Sequence, residues 1–198
     1  MRTGRWIAAG IGIAAIGAAA VYAQSRNTEE PDFALIRADT DFELRDYPAL
    51  MVAEVTSTGP RERASGASFR RLAAYIFAQD RPQGGERIAM TAPVLQDETA
   101  PNEWRMRFVM PSKYTLATLP PAPADIALTE MPARRMAAVR FAGNGSARDL
   151  ALMEARLRDW MIGERIMPAG SAEFAFYDAP MVPGALRRNE VLIPVAAQ

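Results

Sequence analysis

The sequence predicts an α+β domain with a curved antiparallel sheet or barrel and two helices packed on it. Three observations carry this. Short runs alternate apolar and polar residues, the period of a half-buried strand. Two longer segments place apolar residues at helical spacing. The order strand, proline, strand, helix, strand, Ala-Pro then occurs twice, so the chain reads as two related halves.

Taken in order, Met1 to Arg5 carries two arginines and no acid, and Trp6 to Ala23 is an uninterrupted apolar stretch. Val21-Tyr22-Ala23 ends it with small residues where a signal peptidase reads. Its 18 residues also approach the length of a membrane span. Residues 1–23 are therefore expected to be a signal peptide or membrane anchor, leaving residues 24–198 as one domain. The flanking charge predicts export to a bacterial periplasm, soluble after cleavage or held at the inner membrane by the uncleaved segment.

In the first half, Phe42 to Tyr47 alternates as a strand, Pro48 breaks it, and Leu50 to Val55 forms the next. Phe69, Leu72, Ala73, Ile76 and Phe77 make one apolar helix face, with Arg70 and Arg71 on the opposite side. Gly84-Gly85 signals a turn, and Arg87 to Thr91 reads as a strand entering Ala92-Pro93. Trp104 to Val109 alternates and pairs with Pro93 to Gln96. Leu119 to Pro123 is an extended proline-rich join between the halves.

In the second half, Ile126 to Met131 precedes Pro132, and Arg135 to Phe141 follows as a strand. Pro48 and Pro132 lie 84 residues apart, an offset at which Leu44 meets Leu128, Val55 meets Val139 and Phe69 meets Met153. Asn144-Gly145 makes a turn, and Ser146 with Asp149 resembles a capping box. Leu150, Met153, Leu157 and Trp160 form that helix's stripe, Phe174 to Tyr177 is a strand entering Ala179-Pro180, and Val191 to Val195 is the last strand.

Composition excludes much. With no cysteine and no histidine, there is no disulfide, thiol nucleophile, Cys/His zinc site or Ser-His-Asp triad. Charges balance at 23 basic and 23 acidic residues, which argues against nucleic acid as a partner. Arg187-Arg188-Asn189-Glu190 is expected to hold a loop in place through hydrogen bonds and ion pairs. Glu54, Asp80, Asp97, Glu130 and Asp178 show no local pairing that marks an acid–base couple.

Arg87-Ile88-Ala89-Met90-Thr91-Ala92-Pro93-Val94, Phe108-Val109-Met110-Pro111-Ser112-Lys113-Tyr114-Thr115-Leu116, Phe176-Tyr177-Asp178-Ala179-Pro180 and Leu186 to Val191 closely resemble the SOUL haem-binding protein family. The likeness runs from about Phe33 to Val195. It implies a distorted antiparallel β-barrel of two pseudo-symmetric halves, each with one amphipathic helix. It also implies non-catalytic binding of haem or another tetrapyrrole in a shallow apolar cleft against the first helix. The cofactor-binding residues expected on this basis are Phe69, Arg70, Ala73, Phe77, Met90, Tyr177 and Met181. Family positions that carry basic side chains fall here on Gly66, Ala74 and Val182, leaving Arg70 and Arg71 as substitutes for pairing with propionates. No histidine is available as an axial ligand, so Tyr75, Tyr177 or a methionine are the ligands left in principle. Two other readings stand beside this one: a general binder of small hydrophobic molecules, as in drug-effector-binding folds, and a hydrolase using a cleft carboxylate.

Overall fold

The computed structural model describes residues 28–81 and 85–196. The predicted signal or anchor segment lies outside the described residues. Among those described, no helix is long and apolar enough to cross a membrane.

The described strands are β1 (Ala34–Asp39), β2 (Phe42–Tyr47), β3 (Leu50–Thr58), β4 (Val94–Ala100), β5 (Glu103–Val109), β6 (Ala127–Met131), β7 (Arg134–Ala142), β8 (Glu173–Phe176) and β9 (Arg188–Pro194). They form one antiparallel sheet, curled into a half-barrel, in the order β1-β2-β7-β9-β8-β4-β5-β3-β6. Helices α1 (Arg61–Ile76) and α2 (Ala147–Gly163) connect β3 to β4 and β7 to β8.

The duplication read from the sequence is a structural dyad between β4 and β8. Each half begins with a strand that it gives away: β2 pairs with β7, and β6 pairs with β3. The registers match the repeat, because Glu43 faces Ala138 while Glu54 faces Ala127, each 84 residues from its counterpart. Pro48 and Pro132 sit between the exchanged strand and the next, where a missing N–H and a fixed φ end the ladder.

Side chains alternate across the sheet and so define two faces. On the helix side, α1 covers Ala53, Met106 and Phe108, and α2 covers Ala137, Val139, Val191 and Ile193. The inner face is lined by Val52, Leu95, Val109, Met136, Ala138, Ala175 and Leu192, all buried. The capping box of α2 is present, with Ser146 Oγ accepting from Asp149 N and Asp149 accepting from Ser146 N, both at 3.2 Å. Gly145 before it has φ of +64°, and a Cβ there would come within 2.8 Å of Phe176 Cε1. This turn is built for glycine.

Two departures from the sequence reading have physical reasons. Strand β1 was not expected, because all six of its residues are exposed and burial imposes no period on them. Residues 87–90 do not form the expected strand. Ile88 instead donates its N–H to Ile76 O at 2.8 Å and inserts its side chain into the core beneath α1.

Candidate functional site on the first helix and the inner face

On α1 the buried face consists of Ala64, Ser68, Leu72, Tyr75 and Ile76. It is rotated by about one position from the stripe expected, which would have buried Phe69, Ala73 and Phe77. Two polar tips make this possible. Ser68 Oγ bonds Ser57 Oγ at 2.9 Å, and the Tyr75 hydroxyl donates to Pro120 O at 2.7 Å. Satisfied in this way, both residues bury at little cost. Phe69, Ala73 and Phe77 then fall on the flank of the helix, with Phe69 39 % and Phe77 37 % exposed. The Phe69 ring meets Phe108 edge-on at 5.3 Å.

Beside this stripe, Arg70 is exposed and makes no hydrogen bond or ion pair with another described residue. Arg71 is committed, pairing with Asp80 and with Asp125, to which its Nη2 donates at 2.6 Å. Of the two arginines expected near a ligand's carboxylates, only Arg70 is unengaged.

The other half shows what the stripe replaces. Leu72 corresponds to Leu157 and Ile76 to Met161, an offset of 85 rather than 84 residues, and all four are buried. At that offset Phe69 and Ala73 correspond to Glu154 and Arg158, which form an ion pair one helical turn apart at 2.8 Å. An ordinary solvent face is charged in this way. On α1 the same positions are apolar.

The inner face carries two charged networks around its apolar centre. In one, Arg107 joins Glu54 at 2.9 Å, Asp97 at 3.0 Å and Glu173 at 2.8 Å, while Arg134 bonds Glu173 at 2.6 Å. In the other, Arg45 holds both oxygens of Glu190 at 2.7 and 3.0 Å, with the Tyr177 hydroxyl at 2.8 Å and Arg140 at 3.1 Å. Burial alone would raise the Glu190 pKa. The hydrogen bonds and charge of Arg45, the Tyr177 hydroxyl and Arg140 outweigh it and hold the carboxyl below its ordinary range. A hydrolase using a cleft carboxylate calls for one with a raised pKa, and Glu190 is not that residue. Burial, then the Glu190 charge, push the Tyr177 hydroxyl well above 10, and burial raises Tyr75 as well. Both phenols are protonated hydrogen-bond donors, to Glu190 and to Pro120 O.

Residues 28–33 cross the mouth of the inner face. Glu29 anchors them: its carbonyl accepts from Ala92 N at 2.9 Å and its carboxylate from Ser112 N at 2.6 Å. Glu30 pairs with Arg188, whose guanidinium stacks over Tyr177 at 3.7 Å. Phe33 leans on Tyr47 at 5.3 Å, and Arg45 lies 4.5 Å above its ring. An open cleft of about 360 Å³ lies here, lined among others by Asp32, Met51, Thr91, Met110, Pro111 and Tyr114. A small space of about 20 Å³ lies beside it, against Phe33, Tyr47, Pro93, Arg134 and Tyr177. Glu30, Pro31, Leu50 and Val109 line both.

The residues expected to bind a cofactor thus divide. Phe69, Arg70, Ala73 and Phe77 share α1, and Met90 is half-buried against the core beneath the same helix. Tyr177 belongs to the inner face, on the opposite side of the sheet. Met181 is 65 % exposed in the loop after β8. Arg187 pins that loop, donating to Val182 O at 2.7 Å and to Pro180 O, which is the structural role expected for the Arg-Arg-Asn-Glu run. Sequence reasoning missed Arg45, Tyr47, Glu30 and Phe33. The alternation of Glu43, Arg45 and Tyr47 in β2 was the available signal, but a polar strand face reads as solvent-facing and this one faces inward.

A duplicated half-barrel with exchanged first strands and two helices on one face defines a fold class shared with several solved structures. The C-terminal domain of EcmrR superposes with a TM-score of 0.60 at 13 % identity, covering 79 % of this chain and 98 % of that one. A protein described as a hydrolase from Listeria innocua gives 0.56 at 12 % identity, covering 81 % and 94 %. At these identities the likeness is one of fold. The sequence itself matches the SOUL heme-binding protein family over residues 28–194, and the chain belongs to that family. No curated protein sequence matches it.

Proposed function

We propose that the protein binds haem or a related tetrapyrrole against α1 without chemistry on it, and does so outside the cytoplasm. One observation carries the reading: the flank of α1 presents half-exposed Phe69 and Phe77 and half-buried Ala73 beside an unengaged Arg70, where α2 carries an ion pair at the positions equivalent to Phe69 and Ala73. The eight steps from Phe69 to Phe77 span ~12 Å, about the width of a macrocycle, at 1.5 Å rise per residue. Small Ala73 lets a flat ring approach the helix between the two phenylalanines. Covering apolar surface supplies about 25 cal/mol per Å², and the Arg70 fork suits a propionate. Iron would gain no histidine ligand. The Tyr75 and Tyr177 hydroxyls are bonded within the protein, which leaves a methionine as the axial ligand open in principle. The ring's face and edge provide most of the affinity. Residues 1–23 support export, by cleavage or by anchoring.

Titration of the purified protein with haemin tests the proposal. A saturable shift of the Soret band at micromolar protein is expected, with a spectrum lacking the signature of a histidine ligand. Absence of any saturable shift sinks it.

A further inference from the structure

We infer that the inner-face cleft is a second binding site, for a one- or two-ring aromatic carboxylate, and that residues 29–33 occupy it as an internal stand-in. It lies across the sheet from α1 and does not depend on the tetrapyrrole reading.

The chain's own occupant indicates the ligand chemistry. Glu30 places a carboxylate on Arg188, whose guanidinium is already stacked over Tyr177. Three residues on, Phe33 rests an aromatic ring against both Tyr47 and the Arg45 guanidinium, which are hydrogen-bonded to each other at 2.9 Å. Carboxylate on arginine and ring on tyrosine are the two contacts an aromatic acid would make. Both are loosely held: the Glu30 side chain is 36 % exposed and Phe33 39 %, so a ligand can compete for each.

The same segment divides the cavity. Glu30 and Pro31 line both the 360 Å³ cleft and the 20 Å³ space beside it, so their displacement joins the two. The larger volume is near the ~300 Å³ lower bound for small-molecule sites, which suits one or two rings better than a macrocycle. A further donor is in place: Arg134 lines the smaller space, and its Nε is buried without a partner among the described residues. Asp32 at the cleft opposes an anion, the Glu29 carboxylate is occupied by Ser112 N and Arg134 is paired with Glu173, so Arg188, stacked on the Tyr177 that lines the smaller space, is the cation that sets the sign.

The test compares 2-naphthoate with its uncharged isostere 2-naphthamide on the full chain, by titration calorimetry and saturation-transfer NMR. Wild type should bind the acid in preference to the amide. Glu30→Gln, at an exposed position, frees Arg188 and should tighten naphthoate by ~3-fold, within the range of an exposed ion pair, leaving naphthamide unchanged. Arg188→Gln should abolish the preference for the acid, and Arg188→Lys should restore part of it. Equal binding of acid and amide by wild type, no response to Glu30→Gln, or no binding of naphthoate by any form overturns the inference. Haemin binding is read separately by its Soret band, so either proposal can fail alone.

Discussion

The two halves of this molecule share a fold and differ in what their equivalent helix faces carry. Helices α1 and α2 bury equivalent residues, Leu72 with Leu157 and Ile76 with Met161. Beside that buried face, α2 has Glu154 and Arg158 joined as an ion pair, while α1 has Phe69 and Ala73. Phe69 packs its edge on Phe108, yet it and Phe77 stay more than a third exposed, where α2 meets solvent at the position equivalent to Phe69 with a charge. On the inner face the balance reverses. The second half supplies Glu190, whose lone-pair capacity is filled by Arg45, Tyr177 and Arg140. The half-exposed stripe on α1 is the surface proposed to take the ring, and the Glu190 network is what holds the inner face in shape.

The largest test of this contrast falls on the network. Glu190→Gln leaves the Arg45 guanidinium, 1 % exposed, opposite a neutral amide, and should cost ~3 kcal/mol of stability in urea unfolding. A variant of wild-type stability would show that the buried pair is dispensable. Next comes an exchange of the two helix faces. Phe69→Glu with Ala73→Arg writes the α2 pattern onto α1 and should weaken haemin about tenfold, or ~1.4 kcal/mol, from lost apolar cover. The reverse pair, Glu154→Phe with Arg158→Ala, should add a weaker second haemin site, seen as a change in stoichiometry. Unaltered haemin affinity in the first variant would place the ring elsewhere.

A smaller effect is expected at Arg70. Arg70→Gln should weaken haemin by ~2- to 3-fold and leave its dimethyl ester unaffected, the size of a rim ion pair. The smallest concerns pH. Because the folded Glu190 pKa lies below its ordinary 4.5, its stabilising share is present above that value and is lost as pH falls further, through the folded pKa. The acid limb of stability against pH should therefore be steeper in wild type than in Glu190→Gln, as measured by thermal unfolding.

Much of the fold was legible because burial and periodicity coincide in it. The exchanged strands kept their 84-residue offset, and the α2 stripe was read almost as it packs, with Leu150 and Leu157 buried and Met153 and Trp160 partly so. On α1 the same reasoning misplaced the face. Ser68 and Tyr75 look polar in sequence but bury because Ser57, on the neighbouring strand, and Pro120, 45 residues on, receive their hydroxyls. The inner ion pairs were invisible for a similar reason, since Arg45 and Glu190 are 145 residues apart. The segment before β1 carries no period at all, and its contacts depend on a cleft that only the assembled sheet creates.

The exchange of β2 and β6 reaches beyond symmetry. Each half is completed by a strand from the other, so neither owns a finished hydrogen-bonded ladder. The connector between β5 and β6, by contrast, contributes no strand to the sheet. Cutting the chain there should yield two pieces that are poorly ordered apart and restore one another when mixed, as interlocked hands stay joined with the wrists untied. The duplication is therefore a mutual dependence: two copies of one unit, each of which has given up the means to stand alone.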